Sequence, residues 1–431
     1  MNMLEENSPN STVPILINNN LRFYKQMSLN IFIARQPIHS IDRKVFAYKL
    51  KFQSVTDNLD SAIEAEKMNA FVLSQSLLTN DLDLYTRGKK TIIEFNQVLL
   101  NKRYALLFPK NQLIIEIPET VSLTERILED LNWLKKLRYK IILNQQIFNP
   151  ENKKHSDLAD FVKLNFHQIE LASAANGFQE YKKKGIKFIV DNVETNEQIR
   201  TAYELGFDYF AGDFFCKPDK VERKEISSRY LIYLQVLTEI NRPDVTNKDL
   251  EAIIKEDVSL SYKLFKYLNS AHFNFPKAIT SIKHALSLIG IIQVKRFLSM
   301  LILSKLGKNK SEELLVTAVL RANLCERVGK KVGQEDRASE LFLMGMFSVL
   351  DALLDQEMSE ILVQLPIAED IKNALTGGKG IFRDIYELAV LSESGKWEEM
   401  RLYIERLKLV NYELFEIILS SIKETNAIFH S

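Results

Sequence analysis

In the first half of this 431-residue chain, polar side chains stand at the ends of short apolar runs. Asn96 follows Thr91–Phe95, Glu116 lies in Leu113–Ile117, Asn144 and Gln145 follow Lys140–Leu143, Lys163 and Asn165 sit in and after Phe161–Leu164, and Asp191 follows Ile186–Val190. Carboxylate and amide oxygens of this kind suit hard divalent cations such as magnesium. The other chemistry-bearing residues offer less. Cys216 and Cys325 are far apart and form no CxxC pair, which argues against a zinc site or disulfide framework. Cys325 shares a helical face with Leu314, Ala318 and Ala322, a setting for a small buried apolar side chain rather than a nucleophile. His284 is a lone imidazole, which does not make a metal site. Thr376-Gly377-Gly378-Lys379-Gly380 lacks the upstream strand and the G-x-x-x-x-G-K-[ST] spacing of a phosphate loop, so it reads as a helix end and turn. Lys182-Lys183-Lys184 before Gly185 reads as a solvated charged helix end.

The elements that must position the strand-end residues have two rhythms. From about Leu29 to Asp219, β-rich runs alternate with helical patterns, as expected of parallel strands wrapped by helices. The strands are expected at Ile31–Arg35, Val45–Phe52, Thr91–Phe95, Leu113–Ile117, Lys140–Leu143, Phe161–Leu164, Ile186–Val190 and near Tyr209. Amphipathic segments are expected at Ala62–Leu78, Leu123–Leu137, Gln168–Lys184 and Glu197–Leu205. A β/α barrel fits this order, and such barrels carry their chemistry at the C-terminal ends of the strands. After Lys217-Pro218-Asp219 and the charged run Lys220–Lys224, the pattern becomes helical. Ser259 is the expected N-cap of one helix, and Gly290 the expected end of another begun after Ser281. Further helices are expected at Ser311–Val328, Glu340–Leu354, Ser359–Leu365, Ile367–Leu375, Ile381–Leu391 and from Lys396 onward with a break near Asn411.

Composition narrows the class. With 57 Lys+Arg against 56 Asp+Glu, the net charge of +1 carries no electrostatic footprint for nucleic acid, and none is expected as a partner. The acidic start Met1–Glu6 lacks the apolar core of a secretory signal, and residues 1–28 read as a loose, disordered arm. Ala285–Leu306 is interrupted by Gln293, Lys295 and Arg296, so a buried helix pair is expected rather than a membrane span. A reducing cytoplasm is the expected setting.

Two stretches give the chain a family likeness. Ala34-Arg35-Gln36-Pro37-Ile38 and Tyr48-Lys49-Leu50-Lys51-Phe52 resemble the opening strands of an EAL domain, a cyclic-di-GMP phosphodiesterase barrel. Asp249-Leu250…Glu256-Asp257…Leu260–Leu264…Leu268–Ala271…Phe273, then Ile279…His284-Ala285-Leu286…Leu288-Ile289-Gly290 and Arg321-Ala322…Leu324-Cys325-Glu326, resemble an HDOD domain, a relative of the HD and HD-GYP phosphohydrolases. The resemblance implies an EAL-type α/β barrel, similar to a TIM barrel, over residues 29–222 and an all-α HDOD domain over 223–431. No long Pro- or Gly-rich linker separates them, so tight packing is expected.

Active EAL enzymes hold two divalent cations with carboxylates and an Asn, and use a Lys and a Glu to order the attacking water. By this likeness Lys49 stands in place of the signature glutamate, Asn96 keeps the ligand type and Glu116 is retained. Asn144 and Gln145 replace the paired aspartates, Lys163 is retained and Asn165 replaces an acid. Asp191 replaces a longer glutamate, Glu194 survives, and Ala211 replaces a glutamine. These changes remove negative potential, so no catalytic residue, metal or other cofactor is expected. The Lys49 ammonium is expected to pair with Glu116 or Asp191 where a metal would lie. Each of the six histidines is followed by Ser, Gln, Phe or Ala, so the second half has no His-Asp metal doublet either. The expected function is that of a non-catalytic signal transduction protein linked to cyclic-di-GMP, binding other signalling proteins through the HDOD domain while the barrel serves as a regulatory scaffold or homodimerisation module. Binding of the dinucleotide is disfavoured, because the missing metal removes a counter-ion for its phosphates. The rival readings are a metal-dependent cyclic-di-GMP phosphodiesterase and a receptor that binds the dinucleotide without hydrolysis.

Overall fold

A computed structural model describes residues 31–54, 82–168, 178–218, 228–242, 244–269, 279, 281–307 and 310–429. The expected arm at 1–28, the Ala62–Leu78 segment, most of Gln168–Lys184, the charged run at the 222/223 boundary, and Ser270, Ala271 and Phe273 lie outside these residues. Eight strands close into one barrel in sequence order: β1 Ile31–Ser40, β2 Val45–Ser54, β3 Lys90–Glu94, β4 Leu113–Glu116, β5 Lys140–Leu143, β6 Phe161–Asn165, β7 Lys187–Asp191 and β8 Tyr209–Ala211.

All eight expected strands are present, but not all are parallel. β1 runs antiparallel to both β2 and β8, while β2 through β8 pair in parallel. A parallel crossover needs a dozen or more residues, and only a tight turn separates β1 from β2. There Ser40 N donates to Lys44 O at 2.9 Å, Arg43 N donates to Ser40 O at 3.0 Å, and Arg43 takes φ 61°.

Alternation along each strand sorts the barrel interior into layers. Ile38, Ala47, Ile92, Ile114, Ile142, Phe161, Ile189 and Ala211 form an apolar floor. Two residues further along, on the same face, stand Lys49, Glu94, Glu116, Asn144, Lys163 and Asp191. The period of two therefore places a polar layer directly above a dry one. β8 is followed by Gly212, with φ 143° and room for no side chain: a Cβ there would lie 2.0 Å from Val193 O.

The second half is helical, as expected, with three corrections. The helix Val258–Leu268 begins one residue before Ser259, and Leu260 N is capped by Asp257 Oδ1 at 3.2 Å. Glu340–Leu354 is two helices, Ala338–Phe347 and Leu350–Leu354. Ser348 turns the chain between them, its Oγ donating to Gly345 O at 2.7 Å and accepting from Arg321 Nη1. Gly290 breaks Ile282–Leu306 at φ 80°, ψ 160°, a positive φ but outside the left-handed helical region. That segment is long and apolar enough to cross a membrane by length and composition. Gly290 nevertheless divides it, and buried Arg296 pairs with Glu326 at 2.6 Å and with Glu424. His284 is exposed, Cys325 is fully buried with its thiol pushed up to about 12 by burial, and Gly377 and Gly380 turn the chain between two helices, as their sequence contexts indicate.

The two halves meet along the β1–β2 hairpin. Glu313, near the start of helix Glu312–Lys331, is buried and accepts from Tyr48 OH at 2.6 Å, with Arg35 at 3.9 Å and Arg87 at 3.8 Å. Burial raises the Glu313 carboxyl, against the pull of Arg35. Nearby His39 is buried, with Nε2 3.5 Å from Ser311 Oγ and its ring against Phe214 and Phe215. Burial, with Arg43 second, lowers its pKa from 6.5 to about 4.

Two outcomes follow from this seam. Removing a buried, hydrogen-bonded carboxylate leaves Arg35 and Tyr48 uncompensated, so Glu313→Ala should cost about 3 kcal/mol in urea denaturation. A buried imidazole lowered in this way stabilises the fold while neutral. Its contribution is complete above pH 6.5 and is lost as pH falls toward 4, amounting to about 3 kcal/mol. The raised Glu313 titrates in the opposite sense, so the measurement is the difference between wild type and His39→Gln, which should narrow over that window.

Candidate functional site

The polar layer at the C-terminal mouth of the barrel is a lattice of alternating charge. Lys49 Nζ, from β2, donates to Glu116 Oε1 at 3.0 Å and to Glu94. Lys163 Nζ, from β6, also reaches Glu116 Oε1 and lies 3.2 Å from Asp191 Oδ2. Asp191 accepts in addition from Gln36 Nε2 at 3.3 Å and Asn192 N at 2.8 Å. Lys49 and Glu116 are almost fully buried, whereas the Glu94 side chain is 49% exposed. A cavity of about 210 Å³ opens above them, lined in part by Glu94, Glu116, Asn144, Lys163, Asn165 and Asp191.

The Lys49–Glu116 pair is the expected one. Asp191, the other expected partner of Lys49, instead faces Lys163. Asn144 is buried but spends its polar atoms on the backbone: Nδ2 donates to Ile117 O at 3.2 Å and Oδ1 accepts from Gln146 N at 2.9 Å. Asn165 Oδ1 likewise accepts from His167 N at 3.1 Å.

Four expected positions stand apart from this lattice. Asn96 caps the helix Gln97–Asn101, accepting from Leu99 N at 3.0 Å, because it lies past the end of β3 where the chain has turned. Gln145 is exposed at the start of a 3₁₀ turn, Glu194 is exposed and pairs with Lys217 at 3.3 Å, and Ala211 belongs to the floor. The inward residue of β3 is Glu94, opposite Glu116 in register. Counting by twos from floor residue Ile92 would have found it. Lys51 was also missed: two residues past Lys49, it points along the same face.

The electrostatics are mutual. Burial pushes the Glu94 carboxyl up, but Lys49, with Lys163 and Lys51 behind it, holds it below its ordinary value. Asp191 is held down against burial by Lys163 and then Lys49. Burial opposes the Lys163 ammonium, yet Glu116 and Asp191 outweigh it and raise its pKa. Lys51 is lowered, by burial first and then by Lys49.

Two magnesium ions do not fit these residues. Glu94, Glu116 and Asp191 are all engaged by lysine, and of these three acids only Glu116 keeps a buried oxygen, Oε2, without a hydrogen bond. Magnesium takes a near-octahedral shell of oxygens. A unit charge about 4 Å from an ammonium is opposed by roughly 4 kcal/mol at an effective dielectric near 20. Among the described residues, no group of three or more His, Cys, Asp or Glu is arranged to hold a metal.

Comparison with known proteins completes the description. Residues 230–365 match the HDOD domain family. The uncharacterized protein YuxH of Bacillus subtilis (strain 168) is 30% identical over 378 residues, covering 86% of this chain and 92% of its own length. The cyclic di-GMP phosphodiesterase CdgJ of Vibrio cholerae is 27% identical over 370 residues, covering 85% and 86% respectively. An EAL domain protein from Listeria monocytogenes EGD-e aligns at 16% identity over 48% of this chain and 93% of that one, with a TM-score of 0.35. With an eight-stranded barrel joined to an HDOD region and a likeness to YuxH over most of both proteins, this chain belongs to the EAL–HDOD family of bacterial signal transduction proteins.

Proposed function

We propose that this protein is a non-catalytic member of its family, acting in cyclic-di-GMP-linked signalling through contacts with other proteins. The observation that carries the reading is the shared Glu116 carboxylate, which accepts from the ammonium groups of both Lys49 and Lys163. Two-metal hydrolysis needs oxygen ligands turned toward cations. Here the acids are matched by lysines at short range, and the amide of Asn144 is held by backbone. The helical half, free of this constraint, is the better candidate for partner binding. Localisation in the cytoplasm accords with this role.

The likeness to CdgJ favours a second reading, hydrolysis of cyclic-di-GMP by a site that tolerates these residues. A third is binding without hydrolysis. Full-length protein should release no linear dinucleotide from cyclic-di-GMP with magnesium or manganese, and calorimetry should detect no metal-dependent binding. Linear product would overturn the proposal; heat of binding without product would favour the receptor.

The lattice makes a separate prediction about stability. If Lys49 neutralises Glu116, replacing it by an apolar side chain of similar length leaves that buried acid with one cation instead of two. Lys49→Met should then destabilise the protein by about 2 kcal/mol in urea denaturation. A stability equal to or above wild type would remove the neutralising role assigned to Lys49.

A further inference from the structure

The β1–β2 hairpin belongs to two sites at once. Its pairing sets Gln36 opposite Lys49, Ala34 opposite Lys51, Arg35 opposite Leu50 and Pro37 opposite Tyr48. Because successive side chains alternate, one face carries Phe32, Ala34, Gln36, Lys49 and Lys51, and the other carries Arg35, Tyr48 and Leu50. The first face begins in the charged mouth of the barrel, where Lys49 and Gln36 engage Glu116, Glu94 and Asp191. It then continues beyond the mouth onto the helical half: Lys51 Nζ lies 3.4 Å from Ser394 O, and Phe32 stacks on Trp397 at 5.6 Å. A Cβ on Gly395 would come within 3.2 Å of Ala34 and 3.1 Å of Lys51. The second face presents Tyr48 and Arg35 to Glu313.

Lys49 and Tyr48 are therefore neighbours in the chain, one fixed by the mouth and the other by the helical half. Neither can change register or tilt without moving the other. Lys51 adds an electrostatic link, since it feels the charges of Lys49, Asp191, Glu94 and Lys163 while facing the Ser394 carbonyl that ends helix Ile381–Ser394.

We propose that this hairpin is a coupling element: the charge balance of the barrel mouth sets how firmly the helical half is docked at Glu312–Lys331 and at Ser394–Trp397. Anything that alters the pairing of Lys49, whether an anionic ligand competing for its ammonium or a cation competing for Glu116, would be read out as loosening on the helical side. The inference deepens the signalling reading above. It requires a charge-paired mouth but not the absence of hydrolysis, so an active enzyme with intact coupling would overturn only the earlier proposal.

Hydrogen exchange by mass spectrometry on the full chain tests it. Glu94→Gln removes a half-exposed partner of Lys49 and should leave the fold intact; Lys49→Met is the stronger perturbation. Asp160→Asn is the control, because Asp160 pairs with Lys135 and Lys140 and does not touch the hairpin. Exchange should rise about tenfold, within the range expected of coupled neighbours, in the first turns of Glu312–Lys331 and across Gly395–Arg406 in Glu94→Gln. It should stay at the wild-type level there in Asp160→Asn. Tyr48→Phe should act in reverse, raising exchange at the end of β3, since coupling is reciprocal. Unchanged exchange on the helical side in Glu94→Gln, or an equal rise in Asp160→Asn, would overturn the proposal.

Discussion

One carboxylate oxygen, Oε1 of Glu116, accepts from two ammonium groups, and the arrangement of the barrel mouth follows from it. Glu116 is 2% exposed and rises directly from the apolar floor, so its charge must be met locally. Lys49 and Lys163 arrive from β2 and β6, on opposite sides of β4. Each ammonium is in turn balanced by a second acid, Glu94 for one and Asp191 for the other. The result is a lattice near neutrality, with three acids among three lysines once Lys51 is included. A site built to concentrate divalent cations has the opposite balance.

The same strand that delivers Lys49 delivers Tyr48 to Glu313. A buried acid therefore lies on each side of β2: Glu116 within the barrel and Glu313 across the seam. The two are solved differently. Glu116 is surrounded by ammonium groups at close range, whereas Glu313 takes a phenol hydroxyl at 2.6 Å with two guanidinium groups standing off at 3.8 and 3.9 Å. Burial accordingly raises the Glu313 carboxyl, which is held by a hydrogen bond rather than by a close ion pair.

Much of this was legible in the sequence, and where it failed the reason is geometric. The eight strands and their order follow from apolar runs and turn signals, and Lys49, Glu116, Lys163 and Asp191 are strand residues whose placement depends only on alternation. Asn96 stands apart from the lattice because it lies two residues past β3, where the amide caps a helix N-terminus. Glu94 was hidden by its ordinary look, a charged residue in a short strand, until β3 is set in register with β4. The antiparallel β1 could have been read from the connection after Ser40, too short for a crossover. The contacts of Tyr48 with Glu313 and of Lys51 with Ser394 join residues hundreds of positions apart, and no local pattern encodes them.

That separation bears on how the protein is made. Tyr48 and Glu313 are 265 positions apart, and Lys51 and Ser394 are 343 apart. At a synthesis rate of roughly 5–20 residues per second, the first hairpin leaves the ribosome on the order of half a minute before the helices that cover it. During that interval Tyr48 and Arg35 lack Glu313, and Phe32 lacks the Trp397 ring on which it stacks. The barrel's opening strands therefore take their full set of contacts only once the helices bearing Glu313, Ser394 and Trp397 have been made.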